Sequence, residues 1–266
     1  MSMNFTSLIK SASYENGVFS VNIPQGWMQG RTTYGGLSAA LCLETARRSF
    51  PDLPPLRSAL VSFIGPAGGD VEGRAKLLRR GKSVAFVESE LASDAGIATR
   101  CNFAFGAGRE SVFDATFTPA ADAPGPDDCE AFFPPAEERP RGRSFTEHFG
   151  VRLAKGDRPV SSSDKHEFHL WVRHEDPDAE GLVALLALAD MPPPAVFPMF
   201  KEFAPISSMT WMVNVLNASP KSKDGWWLLH SRGENASEGY SSQDMLVWNS
   251  DGDLVIAGRQ SVAIFV

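Results

Sequence analysis

The segment Leu182-Val-Ala-Leu-Leu-Ala-Leu-Ala-Asp190 decides how this chain is interpreted, because it is apolar throughout until its last residue. A run of this kind, about two and a half turns long if helical, is expected to be surrounded by protein on every side. Pro192, Pro193 and Pro194 follow it and would end the helix. Asp190 is the anomaly, since a carboxylate at a helix C-terminus meets the negative end of the helix dipole and loses hydration if buried. We therefore expect either that neighbouring groups stabilise the Asp190 carboxylate or that this carboxylate takes part in the chemistry of the protein.

Composition and charge narrow the possible classes of protein. The 266 residues are 43% hydrophobic and 21% charged, which is typical of soluble globular proteins, and the length fits one large domain or two of modest size. The formal net charge of −7, with no basic run interleaved with aromatic residues, argues against a nucleic-acid partner. No apolar stretch approaches the roughly 18 residues that a membrane span needs, and the N-terminus does not resemble a signal peptide. We predict a cytoplasmic protein without a membrane span.

The cysteines and histidines do not suggest a metal centre. Cys42, Cys101 and Cys129 are odd in number and lack CxxC spacing, so burial as small hydrophobic residues is the favoured interpretation. His166 and His169 lie in a segment that alternates as a strand does, which would point the two rings to opposite faces. We predict no metal and no cofactor.

The chain contains the same arrangement twice. In the first half Gly35-Gly36 precedes a helix of small and apolar residues over 37–46, and in the second half the run ending at Asp190 takes the place of that helix. Four strand-like segments follow each helix, at 57–64, 71–79, 83–92 and 97–105 in the first half and at 208–216, 226–231, 243–249 and 254–266 in the second. Further strand-like segments precede the helices at 18–23, 149–153 and 166–172. The pattern predicts an internal duplication.

A region rich in proline, small residues and acids separates the two halves at 108–143. Such a composition favours a linker over the outside of the protein. We therefore predict an N-terminal domain over 1–107, a linker over 108–143 and a C-terminal domain over 144–266. A long antiparallel sheet wrapped around a central helix is the hotdog architecture, so the predicted fold is α+β, a double hotdog with its two sheets edge to edge.

Residues in both halves resemble the acyl-CoA thioesterase II family. In the first half these are Trp27, Gly30 and Tyr34-Gly35-Gly36 leading into a helix. In the second half they are Leu188-Ala-Asp190 before the prolines, Met209–Val213, Trp226–Leu229, and Asp251–Ala257 through Gln260. The match rests on the order and spacing of the whole set. It implies hydrolysis of acyl-CoA or a related acyl thioester in fatty-acid metabolism. It leaves the oligomeric state open, because two hotdogs in one chain already form the pseudo-dimer that such folds require, while back-to-back assembly into a homodimer or higher homo-oligomer is common in the family.

The resemblance also implies a catalytic set in which an Asp, a Thr and a Gln hold the attacking water. Asp190 and Gln260 correspond to the Asp and the Gln. Ile206 stands at the position of the Thr, with Ser207 and Ser208 directly after it, so either serine could supply the hydroxyl. Ser207 would point to the other face of the sheet if the strand is regular.

The chemistry explains why these residue types are suitable. Burial would raise the pKa of Asp190 and make it a better base, while Gln260 and a hydroxyl would hold the carboxylate or its water. Backbone N–H groups of Gly35 and Gly36, the predicted substrate-binding residues, could stabilise the oxyanion. Simpler explanations are that Asp190 ends its helix in solvent, that Gln260 faces water, and that the glycines serve helix packing alone.

Two other functions are compatible with the same fold. A hydratase on the same fold needs a His a few residues after the Asp, and none follows Asp190 until His230. A non-catalytic acyl-CoA or lipid-binding protein would need no hydroxyl at Ile206, and this alternative stays open. Acyl-chain length and the thiol carrier cannot be inferred from the residues.

Overall fold

The computed structural model describes residues 3–134 and 144–266. Its α-helices are α1 (Phe5–Ser11), α2 (Gly35–Ser49) and α3 (Gly181–Ala189). The strands of the first half are β1 (Ser13–Glu15), β2 (Val18–Ile23), β3 (Met28–Gln29), β4 (Thr32–Thr33), β5 (Leu56–Phe63), β6 (Gly69–Arg80), β7 (Val84–Ser93) and β8 (Gly96–Gly106). Those of the second half are β9 (Glu130–Ala131), β10 (Phe149–Lys155), β11 (Glu167–His174), β12 (Ile206–Val215), β13 (Trp227–Ser237), β14 (Tyr240–Asn249) and β15 (Leu254–Ile264).

Thirteen strands form one antiparallel sheet in the order β1-β2-β6-β7-β8-β5-β12-β15-β14-β13-β11-β10-β9, and β3 and β4 form a separate hairpin. The two halves meet at the β5–β12 pair, where Val61 lies opposite Trp211. Each half contributes one long helix followed by four strands of this sheet. This arrangement confirms the predicted α+β double hotdog with its two sheets edge to edge.

The two central helices form the core because their sequences are apolar on nearly every face. In α3, residues 183–189 are all buried, which confirms the expectation that this run is surrounded by protein. In α2, residues 36–43 are buried, and the helix packs on α3 and on β6, β7 and β8. Small side chains such as Ala39 and Ala40 let the helix lie close to its neighbours.

The elements that the sequence did not predict are the short ones. Helix α1 has seven residues and is capped by Asn4, whose side chain accepts a hydrogen bond from the Ser7 backbone N–H. Strands β1, β3, β4 and β9 have two or three residues each. Segments this short carry too few residues to show a hydrophobic period.

Part of the predicted linker is ordered against the second half. Residues 107–125 form neither helix nor strand, but β9 pairs with β10, and the Trp171 indole donates to the carbonyl of Pro124 at 2.8 Å. Cys129 and Phe132 are buried. Residues 135–143 of the predicted linker lie outside the described residues, and the domain limits stay a prediction.

No helix within 3–134 or 144–266 is long and apolar enough to span a membrane. The three cysteines are free thiols and are all buried, as their spacing predicts.

Candidate active site

Asp190 lies where the ends of the two central helices meet. It is the C-terminal cap of α3, and its carboxylate accepts a hydrogen bond from the backbone N–H of Gly36 in the first turn of α2. A Cβ atom on Gly35 would come within 2.7 Å of the Asp190 carboxylate, so glycine permits this close approach. The negative end of its own helix is therefore opposed by the positive end of α2, which is the compensation that the sequence could not show.

Burial gives Asp190 an unusual protonation equilibrium. The residue is 9% exposed, and loss of hydration raises its pKa from 3.8 to about 7, against the opposing effects of hydrogen bonds from Gln260 and Gly36. Within the described residues, no Lys, Arg or His forms an ion pair with this carboxylate. A carboxylate of this kind changes its protonation state near neutral pH.

Gln260 is the direct partner of Asp190. It lies in β15, is 3% exposed, and its Nε2 donates to Asp190 Oδ1 at 2.8 Å. The structure thus brings together two residues that are 70 positions apart in sequence. Their burial is not compatible with the simpler explanations that either side chain faces water.

A third buried amide, Gln243, extends this group and was missed by the sequence analysis. It lies opposite Gln260 in β14, has no exposed surface, and its Nε2 donates to Gln260 Oε1 at 3.0 Å. The backbone N–H of Ala195 donates to Gln243 Oε1 at 2.7 Å. A polar residue in phase with the buried Met245 and Val247 was the available signal, whereas Gln260 was identified through the family resemblance.

The two candidate serines lie on opposite faces of β12. Ser208 pairs with the fully buried Val262, two residues from Gln260, and so lies on the same face of the sheet as that amide. Ser207 pairs with Ala263 and is exposed. In the described part of the chain neither hydroxyl is hydrogen-bonded to Asp190 or Gln260. Both serines and Ile206 nevertheless border the cavity beside Asp190.

This cavity has a volume of about 1060 Å³ and is bordered by Asp190, Gln260 and Gly35. Its wall is strongly aromatic, with Phe63, Phe132, Phe133, Phe145, Phe197 and Phe203 among its members. A larger cavity of about 1440 Å³ lies at the other ends of α2 and α3 and borders neither Asp190 nor Gln260. We assign the site to the smaller cavity because burial raises the pKa of its carboxylate, Asp190, to about 7. The larger cavity borders the buried Asp176, whose pKa is lowered because desolvation is outweighed by hydrogen bonds from the backbone N–H groups of Thr6 and Asp178.

Gly35 and Gly36 have different environments. A Cβ on Gly36 would overlap the carbonyl oxygen of Ala187, so this glycine is needed where α2 crosses α3. The Tyr34 hydroxyl donates to the same carbonyl oxygen at 2.7 Å and so joins the start of α2 to α3. The packing role considered for these glycines therefore holds for Gly36, whose N–H in addition bonds Asp190. Gly35 lies in the first helical turn, where N–H groups have no intrahelical acceptor.

The histidines form no metal cluster. His169 lies in β11 with its ring stacked on that of His230, the centroids 4.1 Å apart, while His166 precedes the strand. Among residues 3–134 and 144–266 no group of three or more His, Cys, Asp or Glu is arranged to bind a metal ion.

Comparison with solved structures shows the same fold. A hotdog-fold protein of unknown function from Alicyclobacillus acidocaldarius is 25% identical, with a TM-score of 0.86 and 97% of each chain covered. An acyl-CoA thioesterase II from Mycobacterium marinum is 18% identical, with a TM-score of 0.71 and coverage of 97% of this chain and 96% of the other. A comparison with curated protein sequences found no match.

Family models account for both halves of the sequence. Residues 23–106 match the acyl-CoA thioesterase N-terminal domain, and residues 126–264 match the acyl-CoA thioesterase C-terminal domain. The second match begins just before β9, in keeping with the packing of that strand on the second half. With both domain types in their order along one polypeptide, the chain belongs to the acyl-CoA thioesterase family.

Proposed function

We propose that this protein hydrolyses acyl-CoA, or a related acyl thioester, to a free acid and a thiol, with Asp190 as the general base. Membership of the family supports thioester hydrolysis in general. The environment of Asp190 is the observation that supports its assignment as the base. This buried carboxylate has a pKa of about 7, borders an apolar cavity and is oriented by Gln260. A base with a pKa near the working pH is the most effective one.

The reaction needs one water and one proton shuttle. The oxygen of a water bound beside Asp190 attacks the thioester carbonyl carbon while the carboxylate takes one of its protons. The tetrahedral intermediate then collapses, the carbon–sulfur bond breaks, and the leaving sulfur receives the proton from Asp190. The products are the acid and the thiol, and the carboxylate is regenerated. Gln260 keeps Asp190 oriented through its Nε2 donation during the cycle.

Two further groups complete the proposed site. The backbone N–H of Gly35, in the first turn of α2, is suited to stabilise the oxyanion, since Gly36 already donates to Asp190. Ser208 is our candidate for the hydroxyl that positions the water, because it shares the inner face of the sheet with Gln260. Ser207 is the weaker candidate because it lies on the opposite face.

The cavity is consistent with an acyl chain attached to a charged carrier. Six phenylalanine rings on its wall offer an apolar surface to the acyl group. Arg31 is exposed at the border of the same cavity and could neutralise a phosphate of CoA. The cytoplasmic location and the homo-oligomeric state stay predictions.

The competing functions differ in what they require of the site. Hydration chemistry needs a His beside the Asp, and no His of the described residues lines this cavity. A non-catalytic acyl-binding protein needs the cavity but no base. The raised pKa of Asp190 and its oriented amide partner favour catalysis over binding alone.

A thiol-release assay with a panel of acyl-CoA chain lengths tests the proposal. We expect turnover by the wild type and a loss of about 10²–10⁴-fold in kcat for Asp190→Asn, because the amide cannot accept the proton. Circular dichroism checks that the variant is folded. Binding of acyl-CoA by calorimetry without turnover by the wild type would instead support the binding protein.

A matched pair of variants tests the hydroxyl. We expect Ser208→Ala to lower kcat about tenfold, the effect of one lost hydrogen bond to the reacting water, whereas Ser207→Ala stays within twofold of the wild type. The same assay compares them. Equal rates for the two variants would remove Ser208 from the site.

A further inference from the structure

A chain of three hydrogen bonds links three amide groups to one carboxylate in the core of the second half. The loop after Asp190 leads to Ala195, whose N–H donates to Gln243 Oε1 at 2.7 Å. Gln243 Nε2 donates to Gln260 Oε1 at 3.0 Å, and Gln260 Nε2 donates to Asp190 Oδ1 at 2.8 Å. All four residues are buried, with Gln243 and Ala195 fully enclosed.

We propose that Gln243 is a positioning residue, which fixes the Gln260 side chain with its NH₂ group, not its carbonyl oxygen, toward Asp190. This inference rests on the proposed function of Asp190 as the base. Gln243 acts through Gln260 and itself borders neither Asp190 nor the cavity.

The backbone N–H of Ala195 determines the orientation of both glutamine side chains. The two ends of a glutamine amide have nearly the same shape, so packing alone does not decide which end faces a neighbour. A backbone N–H can only donate, and therefore Ala195 requires the oxygen of Gln243 on its side. The NH₂ of Gln243 then faces Gln260 and requires an oxygen there. What remains for Asp190 is the NH₂ of Gln260.

The orientation of Gln260 matters for the charge on Asp190. A donated N–H stabilises the ionised carboxylate, which is the form that can act as a base, whereas a carbonyl oxygen in its place would repel that form. Few other groups can take over this task. Gly36 contributes the other N–H, Tyr34 is a neutral phenol nearby, and the Arg31 and Arg158 side chains border the cavity without an ion pair to Asp190.

A purely structural role for Gln243 makes different predictions. A buried amide that only satisfies Ala195 would lower the stability of the protein when removed, without altering the titration of Asp190. A positioning residue would change kcat and its pH dependence while leaving KM little changed, because it does not touch the substrate.

The test compares Gln243→Met with Ser241→Ala. Methionine is similar in length to glutamine but removes both hydrogen bonds. Ser241 lies on the same buried face of β14, two residues away, and its hydroxyl has no hydrogen-bond partner in the described part of the chain. We expect Gln243→Met to lower kcat about tenfold, to change KM less than twofold, and to raise the apparent pKa of the acidic limb of the kcat/KM profile by about one unit. Ser241→Ala should match the wild type.

A measurement independent of activity separates this inference from the proposed function. In the wild type, the side-chain NH₂ signal of Gln260 in a ¹⁵N NMR spectrum should shift with the titration of Asp190, and in Gln243→Met this shift should be lost. If the methionine variant does not fold, Gln243→Asn keeps a buried amide but is too short to bridge Ala195 and Gln260, and the same changes are expected. An unchanged pH profile and an unchanged Gln260 titration in a folded variant would overturn the positioning role. A wild type without thioesterase activity would overturn the proposed function instead.

Discussion

The two ends of the α2–α3 pair are built from equivalent parts of a duplicated chain, but the carboxylates at the equivalent helix positions, Asp190 and Glu44, have different environments. Asp190 is the ninth residue after Gly181, the first residue of α3, and Glu44 is the ninth after Gly35, the first residue of α2. Glu44 is half-buried beside the larger cavity and forms an ion pair with Arg48 at 2.8 Å. Asp190 has only neutral donors, so burial raises its pKa.

The strands differ in the same way. Gln260 lies four residues before Ile264, the partner of the first residue of β12, and Cys101 lies four residues before Phe105, the partner of the first residue of β5. The residue opposite Gln260 in the next strand is Gln243, whereas the residue opposite Cys101 is Ser89.

The serine of the first half is satisfied locally. The Ser89 hydroxyl donates to the carbonyl of Cys42 in α2 at 2.9 Å, which leaves it no role toward Glu44. In the second half the equivalent positions hold two amides that lead to Asp190. The same backbone therefore supports two different polar environments, and the difference lies in a few buried polar side chains.

The largest expected contrast is in activity. Glu44→Gln and Asp190→Asn make the same chemical change at equivalent helix positions. We expect Asp190→Asn to lose about 10²–10⁴-fold in kcat and Glu44→Gln to stay within twofold of the wild type in the thiol-release assay. A comparable loss for Glu44→Gln would show that the first half also contributes a base and would break the comparison.

Much of the fold could be predicted because the hydrophobic patterns of its main helices and strands extend over many residues. The run ending at Asp190 and the eight strands after the two helices span many residues with a consistent hydrophobic period, and the structure has all of them. Their bounds lie within three residues of the expected ones, except that β13 extends to Ser237, six residues beyond the predicted end. The edge-to-edge meeting of the two sheets followed from the duplication, but the identity of the pairing strands, β5 and β12, was not predicted. Helix α1 and the two- or three-residue strands depend on tertiary contacts, which a local pattern does not contain.

The site was only partly predictable, for a related reason. Asp190 stood out as a polar residue at the end of an apolar segment, and Gln260 was indicated by the family resemblance alone. Their mutual hydrogen bond depends on how β15 passes the end of α3. The N–H of Gly36 at Asp190 comes from the opposite half of the chain and could not be inferred from local sequence. Gln243 could have been predicted, because it is a polar residue at a position of β14 that the alternating pattern predicts to be buried.

The second contrast is in stability against pH. The folded-state pKa of Asp190 is about 7 against an ordinary value of 3.8, so its contribution is fully present below about pH 4 and is lost as the pH rises through 7. Between pH 5 and 8 we expect the wild type to lose about 2–3 kcal/mol in free energy of unfolding relative to Asp190→Asn. Urea unfolding of both proteins across this range measures the difference, in which the histidines cancel. Parallel curves would mean that Asp190 is not desolvated.

The smallest contrast is between single glycines at the two ends. An alanine at Gly36 places its Cβ against the Ala187 carbonyl of the other helix, whereas an alanine at Gly181 meets no atom within 4 Å and is disfavoured only by its φ of +79°. We expect Gly36→Ala to lower the free energy of unfolding by about 2–3 kcal/mol, because a backbone oxygen cannot rotate away, and Gly181→Ala by about 1 kcal/mol. Thermal unfolding of the two variants gives the comparison. Relief of this clash would move the Gly36 backbone N–H away from Asp190, so Gly36→Ala should lose activity as well, and Gly181→Ala should not. If the two variants proved equally stable and equally active, the close helix crossing at the Asp190 end would have no part in holding the carboxylate.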